Sequence, residues 1–289
     1  MGREIGAQAV EDDTFRPVPS AGLKDGGFSS GQSSGTESLW PEDETLFDRG
    51  WEMAVLSVIA DNVARIREEM AQAGARAGRP EGSVLLLAAT KTNGAELVRQ
   101  AIEAGVDACG ENRVQELVEK NAQGAYAGAP LHFIGHLQKN KAKFLVGTVD
   151  LIESVDSPEL MTVLNRLAAQ QGIQQDILIE VNIGGESAKS GILPEQADEM
   201  AGKMEEFPNL RLRGFMTIPP IAREKGGNLR YFAKMYQLYV DIKAKKYDNT
   251  SIDYLSMGMS DDFADAIMEG TTMIRLGTRI FGERQYVKK

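Results

Sequence analysis

A single cysteine in 289 residues, Cys109, excludes an internal disulfide and suits a reducing compartment. No apolar run approaches the roughly 20 residues that a bilayer span needs, so membrane-spanning functions are excluded. Neither G-x-G-x-x-G nor G-x-x-x-x-G-K-[ST] occurs, which removes the common nucleotide fingerprints. Positive charge is scarce as well. With 32 Lys and Arg against 42 Asp and Glu, the net charge of −10 is a poor match for a nucleic-acid backbone. The N-terminus has neither the charged-then-apolar order of a signal peptide nor the arginine-rich, acid-poor bias of a transit peptide. Gly6 stands where a myristoylation motif needs Ser or Thr. The expected location is cytoplasmic.

The acidic excess is uneven. Residues 1–50 hold four basic and ten acidic side chains, a net of −6. Within them, Asp25 to Gly35 offers almost nothing to bury against the entropy of ordering it. Residues 1–45 are therefore expected to form a disordered acidic extension, and residues 46–289 a single domain. The chain is 42% hydrophobic, ample for one large core.

From Trp51 the pattern changes. Val55, Ile59, Val63, Ile66 and Met70 recur at helical spacing, an apolar stripe that ends near Gly74. Eight strand candidates follow: Val84–Lys91, Asp107–Asn112, Leu131–His136, Leu151–Val155, Asp176–Ile183, Leu210–Ile218, Ile252–Met259 and Met273–Phe281. Helical segments separate most of them. Ser157-Pro158 and Gly172 bracket one, Pro194 opens another, and Asp261-Asp262 and Gly270 bracket a third. The weakest crossover is Leu137–Val149. Eight alternating units over one domain predict a (β/α)8 barrel, with a doubly wound open sheet as the alternative.

Active sites of such barrels lie at the C-terminal ends of the strands. Lys91 ends the first strand candidate, and by alternation it shares a face with Leu87 and Ala89 that points into the barrel mouth. Other rim candidates are Asn112, His132, Ser256, Met259 and Arg275. After the seventh and eighth strands, Gly258 and Gly277 permit close backbone approach, and Ser260 and Thr278 supply hydroxyls, as a phosphate site requires. A lysine facing a phosphate pocket suggests a phosphorylated aldehyde cofactor held through an imine, with pyridoxal 5'-phosphate (PLP) the leading candidate.

Seven motifs then occur in register. They are Ala89-Thr90-Lys91-Thr92, Gly110 to Glu116, His132 to Gln138, Lys189-Ser190-Gly191, Arg213 to Met216, Leu255 to Asp262 and Arg275-Leu276-Gly277-Thr278. Together they closely resemble the pyridoxal-phosphate homeostasis proteins (the YggS/PROSC family), over about Glu52 to Gly282. The resemblance implies a single-domain relative of the fold-type III alanine racemase barrel. In it, the lysine at Lys91 carries PLP as a Schiff base, and the arginine at Arg275 faces the pyridine nitrogen. The residues at Ser260, Gly277 and Thr278 bind the phosphate. Family members often have proline just after the lysine motif; here Asn93-Gly94 stands there, which is expected to loosen that loop.

Other polar residues carry plainer expectations. Lys139, Lys141 and Lys143 form a solvated run, and Lys189 sits in a small-residue loop from which it could make a secondary anion contact. His132 and His136, placed on one strand, would share a face roughly 13 Å apart at about 3.3 Å per residue, too far to chelate one ion. No metal is expected. Cys109 is expected to be a small core residue.

An arginine can only donate, so a pyridine nitrogen facing it must accept and stay unprotonated. That makes the cofactor a poorer electron sink and disfavours transamination. Racemisation needs two opposed bases. Lys91 is one; in alanine racemases the other comes from a partner subunit's additional domain, for which the seven residues after Gly282 leave no room. The expectation is a non-enzymatic, or at most feebly catalytic, PLP carrier and regulator of cofactor and amino-acid pools. Its ligands would be PLP and, secondarily, amino acids, with no nucleic-acid or membrane partner and a monomer or weak dimer as assembly. A PLP-dependent amino-acid racemase is the alternative, and a barrel for some other phosphate is third.

Overall fold

Strands that are apolar on both faces need cover on both, and a closed parallel barrel ringed by helices supplies it. The computed structural model shows that arrangement, and it describes residues 44–222 and 224–282, with side chains from residue 58 onward. The strands are β1 (Leu85–Ala89), β2 (Ala108–Glu111), β3 (Leu131–Phe133), β4 (Leu151–Val155), β5 (Gln175–Glu180), β6 (Leu210–Met216), β7 (Thr250–Ser256) and β8 (Met273–Leu276). Each pairs in parallel with the next, and β8 returns to β1. The eight-stranded barrel expected from the alternation is the fold. Of the acidic extension, only the start of the first helix falls among the described residues.

The helices are α1 (Glu44–Arg76), α2 (Ala95–Glu103), α3 (Val114–Ala122), α4 (Pro158–Gln171), α5 (Ala197–Gly202), α6 (Leu229–Lys245), α7 (Phe263–Met268) and α8 (Thr278–Phe281). On α1 the stripe Ile59, Val63, Ile66 and Met70 is buried, and the helix runs two residues past Gly74. On α4 the Ser157 hydroxyl accepts from the Leu160 N–H, and Gly172 closes the helix at φ 66°. The weak crossover between β3 and β4 is a 3-10 helix, Lys139–Phe144, where Lys139 and Lys143 are exposed and Lys141 is half-buried. No described helix is long and apolar enough to cross a membrane.

Alternation sorts the strand residues into two cores. Leu86, Ala88, Cys109, Phe133, Ile152 and Ile274 face the helices, while Leu87, Ala89, Ala108, Leu151, Leu178, Met216 and Met273 fill the barrel. Cys109 is fully buried and burial pushes its thiol up to about 12, as befits an inert core residue. One step up the inward register, apolar residues give way to His132, Glu153, Glu180, Ser256 and Arg275, all buried. The barrel therefore has an apolar floor and a polar upper layer.

Several strands end earlier than their apolar runs. β1 stops at Ala89, so Lys91 lies just beyond it, and β3 stops at Phe133, so His136 is in the following loop. His132 points into the barrel and His136 is exposed, so the expected shared face does not exist. The physical reason is local: the Thr90 and Ile134 N–H groups make a last bond each to the Gly110 and Glu111 carbonyls of β2, and after β1 the chain then turns, with the Asn93 N–H returning to the Thr90 carbonyl.

Pairing is irregular around Arg213-Gly214, where the β6–β7 register shifts. Gly214 sits at φ 143°, and a Cβ there would come within 1.8 Å of the Tyr254 carbonyl oxygen. Gly214→Ala is expected to cost about 3 kcal/mol by forcing β6 off β7. Urea denaturation checks this; a loss under about 0.5 kcal/mol would show that the bulge relaxes freely.

Candidate cofactor site

Lys91 is presented by a tight turn. The Asn93 N–H donates to the Thr90 carbonyl at 3.1 Å, and Thr92 adopts a left-handed φ of 65°. The Thr92 hydroxyl and the Asn93 side-chain amide both donate to the Lys91 carbonyl, at 2.6 and 3.1 Å. Gly94 has φ −68°, an angle that proline would also hold.

Beneath the turn lies a buried charge pair. Lys120 Nζ donates to Glu111 Oε1 at 2.6 Å and to the Thr90 carbonyl at 2.9 Å. The Thr90 and Tyr126 hydroxyls donate to the same carboxylate oxygen, at 2.6 and 3.0 Å. Burial, reinforced by that carboxylate, pushes the Tyr126 hydroxyl well above the ordinary tyrosine range. Glu111 is fully buried. This knot ties the end of β1 to β2 and α3, and so sets where Lys91 emerges.

Across the mouth, Arg275 is also buried. Its Nη1 donates to Ser256 Oγ at 2.6 Å and its Nη2 to the Thr217 carbonyl at 2.9 Å. The Ser256 hydroxyl donates to Glu153 Oε2 at 2.6 Å, and Glu153 Oε1 lies 2.7 Å from His132 Nδ1. Burial alone would raise the Glu153 carboxyl, but His132, Arg275 and Ser256 outweigh it and hold it below the usual range. Burial pushes the Arg275 guanidinium down, opposed by Glu153, Glu180 and Asp262.

Between these two anchors is a cavity of about 540 Å³. Lys91, Asn112, Met259, Ser260, Arg275, Gly277 and Thr278 line it, as expected. Lys91 is the lysine among its lining residues. Asn112 Oδ1 is buried with no partner among the described residues. Three expected residues lie elsewhere. His132 and Ser256 sit below the lining, joined to it through Arg275. Gly258 (φ 95°) has Ala266 and Phe263 against the position of its missing Cβ, so its lack of a side chain serves the close packing of α7. Lys189 pairs with Glu186 at 2.7 Å and donates to the Pro219 carbonyl at 2.9 Å, outside the lining. Among the described residues no three His, Cys, Asp or Glu side chains gather to hold a metal.

The alanine racemase N-terminal domain family matches residues 57–285. A pyridoxal phosphate homeostasis protein of Aquifex aeolicus is 42% identical over 226 residues, 78% of this chain and 98% of that protein. The chain belongs to the pyridoxal phosphate homeostasis protein family. Among solved structures, an unknown protein from Bifidobacterium adolescentis superposes with a TM-score of 0.75 at 39% identity, covering 79% of this chain and 96% of its own. PipY of Synechococcus elongatus, solved with PLP bound, superposes with a TM-score of 0.66 at 30% identity, covering 78% and 100%.

Within this member of the family, Glu153 and Glu180 escape a reading from motifs, because each is a single charged letter after a short apolar run, Leu151-Ile152 or Ile177 to Ile179. The signal was there: a glutamate on the inward register of a buried strand needs a partner. Glu180 ends β5, where burial first, then Asp156, pushes its carboxyl up to about 7 against the pull of Arg275. The folded state thus keeps a proton that the unfolded chain releases between about pH 4.5 and 7. Stability should fall on the order of 3 kcal/mol as pH rises through that window and then level off. Glu180→Gln should flatten the profile of urea midpoint against pH; an unchanged slope would assign the titration to another group.

The Lys120–Glu111 pair gives a second expectation. Lys120→Ala strands a buried carboxylate and should cost about 3–5 kcal/mol, with much of it regained when Glu111→Gln is added. A double-mutant cycle by urea denaturation measures the coupling, and simple additivity would mean the pair does not act as a unit.

Proposed function

We propose that this chain binds PLP in the barrel-mouth cavity and serves as a carrier and regulator of the cofactor, in the cytoplasm, as a monomer or weak dimer. What carries the reading is the convergence of Lys91, Arg275 and the Ser260/Gly277/Thr278 rim on one cavity, in a chain 30% identical to the PLP-bound PipY. PLP offers three handles: an aldehyde, a ring nitrogen and a phosphate. An amine, an obligate donor and a hydroxyl-bearing rim at the start of α8 face the same space. Asn112, whose buried Oδ1 has no partner among the described residues, adds a group that a ligand would satisfy. The residues fit the cofactor.

When bound, PLP supplies an electrophilic carbon and an electron-withdrawing ring. Lys91 would hold the aldehyde carbon, and Ser260, Thr278 and the first N–H groups of α8 the phosphate. Arg275, held from behind by Ser256 and Thr217, would keep the ring nitrogen an acceptor, which weakens the ring as an electron sink. That favours storage and delivery over turnover of amino acids.

Purified protein loaded with PLP should show visible absorption that borohydride removes, leaving the cofactor's mass on the peptide containing Lys91. Lys91→Ala should lose that covalent label. Label mainly on Lys120 or Lys189 would overturn the assignment. With L-alanine in deuterated water, sustained inversion at roughly 1 per second or faster would overturn the carrier reading in favour of a racemase.

A further inference from the structure

We propose that Glu153 is a positioning residue of the PLP site, orienting Arg275 and balancing its charge through the hydroxyl of Ser256. The inference rests on the cavity being a PLP site, and extends that reading to a residue below the lining.

Every hydrogen in the chain has one available direction. Arginine has only donors, so Ser256 Oγ must accept from Arg275 Nη1. The single hydroxyl hydrogen of Ser256 is then left for Glu153 Oε2. An ionised carboxylate only accepts, so His132 must carry its proton on Nδ1, which faces Glu153 Oε1 at 2.7 Å. Glu153 and Ser256 are fully buried, and His132 and Arg275 are 6% and 5% exposed. The carboxylate thus sits two hydrogen bonds from the guanidinium, in a layer where solvent cannot screen either charge.

Other charges reach the same place with less hold on it. Glu180 from β5 and Asp262 ahead of α7 attract Arg275, but neither hydrogen-bonds to it among the described residues. Asp262 accepts instead from the Asn228 amide and the Met259 N–H. Lys91 lines the cavity from β1, and His132 enters the chain from β3. Among the described residues, Glu153 alone is coupled to Arg275 through a relay whose polarity is determined at both ends. Losing its negative charge leaves Arg275 less balanced and free to swing, and raises the positive potential at the cavity. A form of the bound cofactor that carries one more proton then becomes harder to hold.

The test has two arms. In the cofactor-free protein, nitrogen-15 NMR should show His132 protonated at Nδ1 and the Arg275 side-chain N–H signals in slow exchange. Glu153→Gln should broaden or shift the arginine signals, and Ser256→Ala should do so while leaving the His132 tautomer intact. In protein loaded with PLP, Glu153→Gln should move the pH midpoint of the cofactor absorbance down by about one unit or more, a tenfold change in proton affinity. Ser256→Ala should move it the same way by less. A purely structural role would lower the melting temperature and leave that midpoint, measured on folded protein, at the wild-type value. Unchanged arginine signals, or an unchanged midpoint in both variants, overturns the proposal. Wild-type protein that takes up no PLP while the NMR arm holds would instead overturn the proposed function.

Discussion

A guanidinium inside a β-barrel is the constraint around which the upper half of this molecule is arranged. Arg275 stands where the inward register of β8 would otherwise carry another aliphatic side chain. Removing such a charge from water costs several kcal/mol, so it persists only where acceptors are already in place. Here two acceptors meet it directly, Ser256 Oγ on β7 and the Thr217 carbonyl just past β6; Glu153 on β4 accepts from the serine, and His132 on β3 donates to the glutamate. One cation therefore dictates the polar character of a whole barrel layer.

The opposite wall is built on the same principle with the signs arranged differently. Lys120 reaches inward from α3 to neutralise Glu111, and the pair clamps Thr90, the residue just before Lys91. An amine that must meet a ligand at one place needs a backbone that does not drift, and a buried ion pair with three further hydrogen bonds supplies that rigidity. The flanking turn, held by Thr92 and Asn93, fixes the backbone from which the Lys91 side chain extends. Two rigid anchors thus face each other across an open cavity, an arrangement suited to holding a small planar ligand at both ends.

The arrangement also bears on chemistry. Because a guanidinium cannot accept a hydrogen bond, it imposes one protonation state on whatever ring nitrogen it meets. The extended carboxylate–hydroxyl relay behind it keeps that donor in place without offering a proton acceptor to the ligand itself. Electron withdrawal by a ring held in this way would be modest, as the proposed carrier role requires.

The sequence by itself determined the barrel, the strand count, the ends of α4 and α7 and the identity of the cavity lysine. These follow from local physics: period-two and helical patterns, the Ser157-Pro158 cap, the Gly172 stop, and motif spacing on the strand ends. Strand ends were less legible, because Thr90 and Ile134 keep both the composition of a strand and an N–H bond to β2, at Gly110 and Glu111, although the strands end before them. The deeper layer of the site was decided only in three dimensions. Glu153 and Ser256 are 103 residues apart in the chain, and Arg275 and Thr217 are 58 apart. No local pattern links them. Only barrel closure, which points alternate residues of separate strands at one axis, brings a glutamate, a serine, a histidine and an arginine into a single hydrogen-bonded chain.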